Sequence, residues 1–232
     1  MAKRKVNKRK QLLKEPDEVL VFSRRVFNYA MNNLQIVFGG LGGVILIALI
    51  VLGVRAWGNS NENSGAFKLT EAKTSFYKAL ENNPQDIESA FSAASEQFEA
   101  VLDDYCNTVA GKMGAIVYAN ICYETGRFNK AISLYEKALK HFYESSSLYP
   151  VLRYNLAYSY ASNENYDKAI ALLEKDAFSP DGVMKDDMLF LLGLVYDRKG
   201  NVEKRDEIYK MIQSGDETAM FYNIVKHQLS KS

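Results

Sequence analysis

The chain has 232 residues, 47% of them hydrophobic and 12% aromatic, with 15 Tyr, four Pro and a net charge of +1. That composition supplies one or two packed domains and excludes intrinsic disorder. The near-neutral total hides an asymmetry: residues 1–33 hold nine Lys or Arg against three acidic residues, while from Gly58 onward 19 basic residues face 25 acidic ones. An acidic body is a poor partner for nucleic acid backbones, so no nucleic acid is expected.

In chain order, the basic head comes first. Within it PDEVLVFSRRVFNYAMNN, 16–33, places Val19, Phe22, Val26, Phe27 and Ala30 at helical spacing. This reads as a short helix lying at a membrane surface, with the basic residues either touching anionic lipid or only fixing topology. Next comes LQIVFGGLGGVILIALIVLGV, 34–54, in which Gln35 is the one strongly polar residue, followed by Trp57. At 1.5 Å per residue it covers about 30 Å, the hydrocarbon thickness. The expectation is a transmembrane helix over 34–57. The positive-inside rule puts 1–33 in the cytoplasm and the body outside it. In a bacterium that is a single-pass protein of the inner membrane with a periplasmic domain. Gly39 and Gly43 have the spacing of a helix–helix contact in the membrane, although glycine is also simply common there. GNSNENSG, 58–65, reads as a linker.

The body, 66–232, repeats. GAIVYANICYET places Ala115, Tyr118, Ala119 and Cys122 on one helix face, and GRFNKAISLYEKAL, 126–139, places Phe128, Ala131, Tyr135 and Ala138 on the next. Thirty-eight residues on, Ala157 and Tyr160 precede Tyr166, Ala169 and Leu173; thirty-six further, Gly193 and Tyr196 precede Val202, Arg205, Tyr209 and Ile212. This is the pattern of a tetratricopeptide repeat. The small residue of the first helix lets its partner approach, and Gly or Asn reverses the chain between them. The copies cover about 112–140, 150–177 and 186–213. A degenerate first unit, 66–105, carries Ala94, Phe98 and Val101 and is broken at Asn82-Asn83-Pro84-Gln85. A final helix covers about 216–230. Arg205 stands where Ala131 and Ala169 stand in the other copies, so it should snorkel outward and loosen the last repeat. The predicted fold class is all-α, a single N-terminal transmembrane helix followed by a tetratricopeptide-repeat-like α-solenoid.

Motifs for chemistry are absent. His141 and His227 lie far apart, no GxxxxGK, GxGxxG or GxSxG occurs, and Asp103-Asp104 and Asp186-Asp187 are adjacent pairs that do not share a helix face. No enzyme, cofactor or metal is expected. Cys106 and Cys122 are either two buried small hydrophobes or, in an oxidising compartment, a disulfide. The expectation is instead a binding surface. First helices of such repeats line an inner face, which makes Asn120, Arg153, Asn155 and Tyr158 the candidate partner-binding residues, with Tyr154 beside them.

Two stretches, SGAFKLTEAKTSFYKALE at 64–81 and GRFNKAISLYEKAL at 126–139, together with the predicted span, resemble the ancillary SecYEG translocon subunits of the YfgM type. That resemblance implies a non-enzymatic, membrane-anchored protein-interaction module beside the Sec translocon. It implies SecYEG, periplasmic chaperones or exported clients as partners, besides the membrane lipids around the anchor. The alternatives are a scaffold of another cell-envelope complex (outer-membrane assembly, division or secretion) or a self-assembling structural solenoid.

Overall fold

Chain reversals at intervals of 38 and 36 residues organise this molecule, and each is built the same way. In the computed structural model, which describes residues 18–144, 146–179, 183–215 and 220–230, every regular element is a helix. In chain order these are α1 (Glu18–Asn32), α2 (Leu34–Asn82), α3 (Ile87–Asp104), α4 (Val109–Glu124), α5 (Phe128–Leu139), α6 (Leu148–Ser162), α7 (Tyr166–Ala177), α8 (Lys185–Arg198), α9 (Val202–Gln213) and α10 (Tyr222–Leu229). The chain divides into two units, Met1–Asn59 and Ser60–Ser232.

The first unit holds α1 and the beginning of α2. On α1, Phe22, Val26 and Phe27 are exposed; the side chains of Val19 and Ala30 lie outside the described residues, as does the basic head before Glu18. The expectation of a transmembrane helix over 34–57 is corrected here. Among the described residues, no helix is long and apolar enough to cross a membrane. The inner-membrane localisation, the single-pass topology, the lipid contacts and the SecYEG association all depended on that span and are withdrawn with it. Of the two glycines expected to make a helix contact, Gly43 has nothing within 4 Å of where a Cβ would stand. The surroundings of Gly39 lie outside the described residues.

Residues 58–65 belong to α2 rather than to an irregular linker. In the second unit this polar stretch has a specific partner. Glu62 accepts backbone N–H bonds from Val109 (2.9 Å) and Ala110 (3.0 Å), the first residues of α4. The Thr108 side chain accepts a third, from Gly111 at 2.9 Å. Together they satisfy the orphan donors of that helix end and place a carboxylate at its positive pole. The C-terminal part of α2 and α3 form the degenerate first unit, with Ala72, Phe76, Ala90, Ala94 and Phe98 buried and Ser75 bonded to Gln97 at 3.0 Å. Arg127 joins this unit to the next. Its guanidinium bonds both oxygens of Glu88 at 2.6 Å and lies over the Phe91 ring, 3.6 Å from the centroid.

Three hairpins follow, α4–α5, α6–α7 and α8–α9, each helix packing on the next in chain order. In each hairpin a buried small residue is followed sixteen residues later by a buried large one: Ala119 by Tyr135, Ala157 by Leu173, Gly193 by Tyr209. At the third the two meet. A Cβ on Gly193 would stand 2.7 Å from Tyr209 Cδ1 and closer still to Cε1. Each first helix ends in the same double bond. Gly126, Glu164 and Gly200 take a left-handed φ (75°, 59° and 80°). The N–H of the following residue then reaches back to the carbonyl of Cys122, Tyr160 or Tyr196 at 2.7, 2.8 and 2.9 Å. This is a Schellman closure, and it favours glycine at the left-handed position. The middle reversal uses an exposed Glu164 there, a residue that the expectation of Gly or Asn at each turn misses.

Arg205 occupies the crossing where the other repeats have alanine, yet the last repeat is packed. Ile208, Tyr209 and Ile212 are buried. The guanidinium is drawn to the edge by two carboxylates, Asp197 at 2.7 Å and Asp206 at 2.8 Å. Finally α10 packs on α9, burying Val225 completely and stacking Phe221 on Phe190 at 4.3 Å.

Two stability measurements check this account. Glu164→Gly relieves the left-handed strain and is expected to raise urea-unfolding stability by about 0.5–1 kcal/mol; an unchanged or lowered value would show that no strain is stored there. Gly193→Ala restores the alanine of the other repeats but is expected to cost about 1–3 kcal/mol by overpacking. Adding Tyr209→Leu, which recreates the Ala157–Leu173 pair, should recover much of that loss. Additive losses in the double variant would refute the paired crossing.

Candidate functional site

The repeat offset that aligns the hairpins also aligns their first helices into rows. Residues 116, 154 and 190 form one row, and 120, 158 and 194 form another. Of these positions on α4, α6 and α8, all but 116 line a cavity of about 450 Å³. Its walls are Asn120, Tyr123 and Glu124 from α4, Tyr154, Asn155 and Tyr158 from α6, and Phe190 and Leu194 from α8, with Tyr135 of α5 at the floor. Most of these side chains are half-buried and Glu124 is exposed, so they are held in place while presenting a face to a ligand.

The aromatic rings contact one another. Tyr154 and Tyr158 lie nearly parallel with centroids 6.3 Å apart, and Tyr123 meets Tyr158 at 5.3 Å and 51°. The Tyr123 hydroxyl is 3.0 Å from Ser162 Oγ, which ties α4 to α6. At the floor the Tyr135 hydroxyl donates to Asn120 Oδ1 at 2.5 Å. That bond fixes the orientation of the Asn120 amide: with its oxygen used, its N–H groups are the donors left for a ligand. Burial pushes the Tyr135 pKa well above the usual value, and the nearby Asn155 side chain partly counters it. Burial likewise raises Tyr123 and Tyr154. All three phenols stay protonated at neutral pH and serve as hydrogen-bonding groups rather than bases.

Three of the four residues predicted from sequence, Asn120, Asn155 and Tyr158, thus meet in one cavity, as does Tyr154. Arg153 does not join them. It is buried between α6 and α7, with Nε 2.5 Å from Asp176 and Nη2 3.0 Å from the Leu172 carbonyl. One residue is about 100° of helix, and that turn carries it off the 154/158 row toward a separate cavity shared with Tyr149 and Lys175. The sequence prediction left out Tyr123, Glu124, Phe190 and Leu194. Carrying the offsets from 116 and 120 through all three repeats would have found the two on α8. Cys106 and Cys122 are free thiols, not a disulfide. Cys122 is fully buried, and burial pushes its thiol up to about 12, so it is inert packing. Among the described residues no group of His, Cys, Asp and Glu could hold a metal ion.

The relation between successive repeats, which sets the width of this cavity, is fixed by two recurring bonds. Tyr160 donates to Glu136, and Tyr196 donates to Glu174 at 2.8 Å. Asn163 bonds Asn129 at 2.9 Å, and at the equivalent place one repeat later Lys199 pairs with Asp167. The second helix of each repeat is therefore held to the first helix of the next at two points.

Small-on-large crossings, Schellman reversals and these inter-repeat bonds recur at 38 and 36 residues. In agreement, the model of the family described as "Tetratricopeptide repeat-like domain" matches residues 33–231. The chain belongs to that family. The match takes in all of α2 as well as the hairpins. Comparison with curated proteins returns no match. Such repeat domains scaffold other proteins rather than catalyse, and this tetratricopeptide repeat-like domain is a non-enzymatic module.

The inter-repeat tyrosines give the domain a defined alkaline limit. Burial first, and then the glutamate beside each hydroxyl, raise Tyr160 and Tyr196 to about 12. In the unfolded chain a tyrosine titrates near 10. The unfolded state therefore loses these protons first, and the stability they contribute is full below about pH 10 and disappears as pH rises toward about 12. Urea midpoints should fall across that window, and the Tyr160→Phe/Tyr196→Phe variant should show a shallower fall. An identical slope in the variant would remove these two groups from the account.

Proposed function

We propose that this chain is a protein-interaction module that holds a short segment of a partner protein in the cavity across α4, α6 and α8. One observation carries the reading: Tyr123, Tyr154, Tyr158 and Phe190 gather in one half-buried groove with the amide of Asn155 and an oriented amide at Asn120. Tyrosine suits a surface that must be apolar on one side and wet on the other, and rigid aromatic anchors typically dominate the energy of such contacts. This keeps the scaffolding part of the sequence expectation and carries over neither a membrane nor a translocon role. The narrower likeness to the YfgM type rests on the stretches at 64–81 and 126–139, both within the repeat-like domain. Self-assembly by end-to-end stacking is disfavoured by α10, which covers the end of the last hairpin through Val225 and Phe221.

A photo-crosslinking amino acid at position 158, compared with one at exposed Lys137 on α5, tests the reading in the full chain. The expected result is a discrete adduct from position 158 that maps to one segment of the partner and is lost with Tyr154→Ala. Equal adducts from both positions, insensitive to Tyr154→Ala, would overturn it.

A further inference from the structure

The proposed cavity also carries information about what kind of segment it takes. Its lining is aromatic and amide rather than aliphatic: among nine lining residues Leu194 is the one aliphatic side chain. An amphipathic helix docks by its apolar side chains, and its own backbone carbonyls are already bonded, so the Asn120 amide would be left without an acceptor. A β-strand needs a sheet edge, and among the described residues there is none. A polyproline II segment differs from both. It makes no internal hydrogen bonds, so its carbonyls are open to donors, and its proline rings pack on aromatic faces.

The aromatic faces adjoin one another. The near-parallel rings of Tyr154 and Tyr158 are 6.3 Å apart. Tyr123, tilted at 51° to Tyr158, forms the next wall. The Tyr154 hydroxyl has no hydrogen-bond partner among the described residues and stands as a further donor at the rim. Charge adds a direction. Glu124 is the sole charged residue in the lining and is exposed. The other charges felt by these rings are Asp187 at Tyr154 and Arg198 at Tyr123, and neither lines the cavity.

We infer that the groove recognises a proline-rich segment in the polyproline II conformation that carries a basic side chain placed to meet Glu124. This deepens the proposed function and rests on it. Proline rings would sit against Tyr154, Tyr158 and Tyr123, a peptide carbonyl would accept from Asn120, and the basic residue would pair with Glu124. The chain's conformation is already set before binding, so little ordering entropy is lost.

The test uses the full chain and three fluorescently labelled probes: a proline-rich peptide with one arginine, the same peptide with glutamate for arginine, and an amphipathic helical peptide of the same net charge as the first. Fluorescence anisotropy should show saturable binding of the first probe, weakened by about tenfold or more in the second. Glu124→Lys should reverse the preference between those two. It alters an exposed side chain with no hydrogen bond in the structure, so folding is retained and circular dichroism verifies it. Tyr158→Ala should abolish binding of the first probe with the fold intact. Tighter binding of the helical peptide, lost with Tyr158→Ala, would overturn this inference and leave the proposed function standing. Binding of any probe that ignores Tyr158→Ala and Glu124→Lys would overturn both.

Discussion

Every hairpin in this domain carries a buried residue with one side-chain carbon or none on its first helix and a buried bulky one sixteen residues later on its second: Ala119 and Tyr135, Ala157 and Leu173, Gly193 and Tyr209. At Gly193 the two are in contact, and the missing Cβ is what lets the helices approach. Packing at native density makes the two halves of that pair dependent on one another. The crossing also fixes the rotation of the first helix about its axis. That rotation turns positions 154, 155 and 158 outward to the groove and 153 inward to Asp176.

The same constraint explains the economy of Tyr135. One side chain fills the crossing with its ring and orients the Asn120 amide with its hydroxyl. Its hydrogen bond to Asn120 keeps a buried polar atom satisfied, as interiors require. No buried side-chain nitrogen or oxygen among the described residues lacks a partner. The binding surface is thus an extension of the packing that holds the repeat together.

Between repeats, polar bonds recur beside the shared apolar core. Tyr–Glu bonds recur at 160–136 and 196–174, while the neighbouring tie changes from an amide pair at 163–129 to an ion pair at 199–167. The geometry is conserved from one repeat to the next while the chemistry is exchanged. Exposed ion pairs of this kind contribute little individually, so they register one hairpin against the next more than they hold it there. At the N-terminal end a Tyr–Glu bond, Tyr118 to Glu99 at 3.2 Å, is joined by Arg127, which is both bidentate to Glu88 and stacked on Phe91.

The sequence by itself determined the helices, the two offsets, the small residue at each crossing and the class of surface to look for. These are local facts, carried by a period of 3.6 residues and by similarity at a fixed interval. Three of the sequence's four binding candidates share one cavity. Only the tertiary structure decided the rest, since those features join residues distant in the chain. The polar stretch 58–65 looks like a linker until Glu62 meets the start of α4, 47 residues away. Arg153 looks like a binding residue until Asp176, 23 residues on, takes its guanidinium. Glu164 gives no sign of a left-handed turn, because the closure that compels it is made by the backbone bond from Asn165 to Tyr160. The apolar run suggested a membrane span over 34–57, whereas among the described residues no helix is long and apolar enough to cross a membrane.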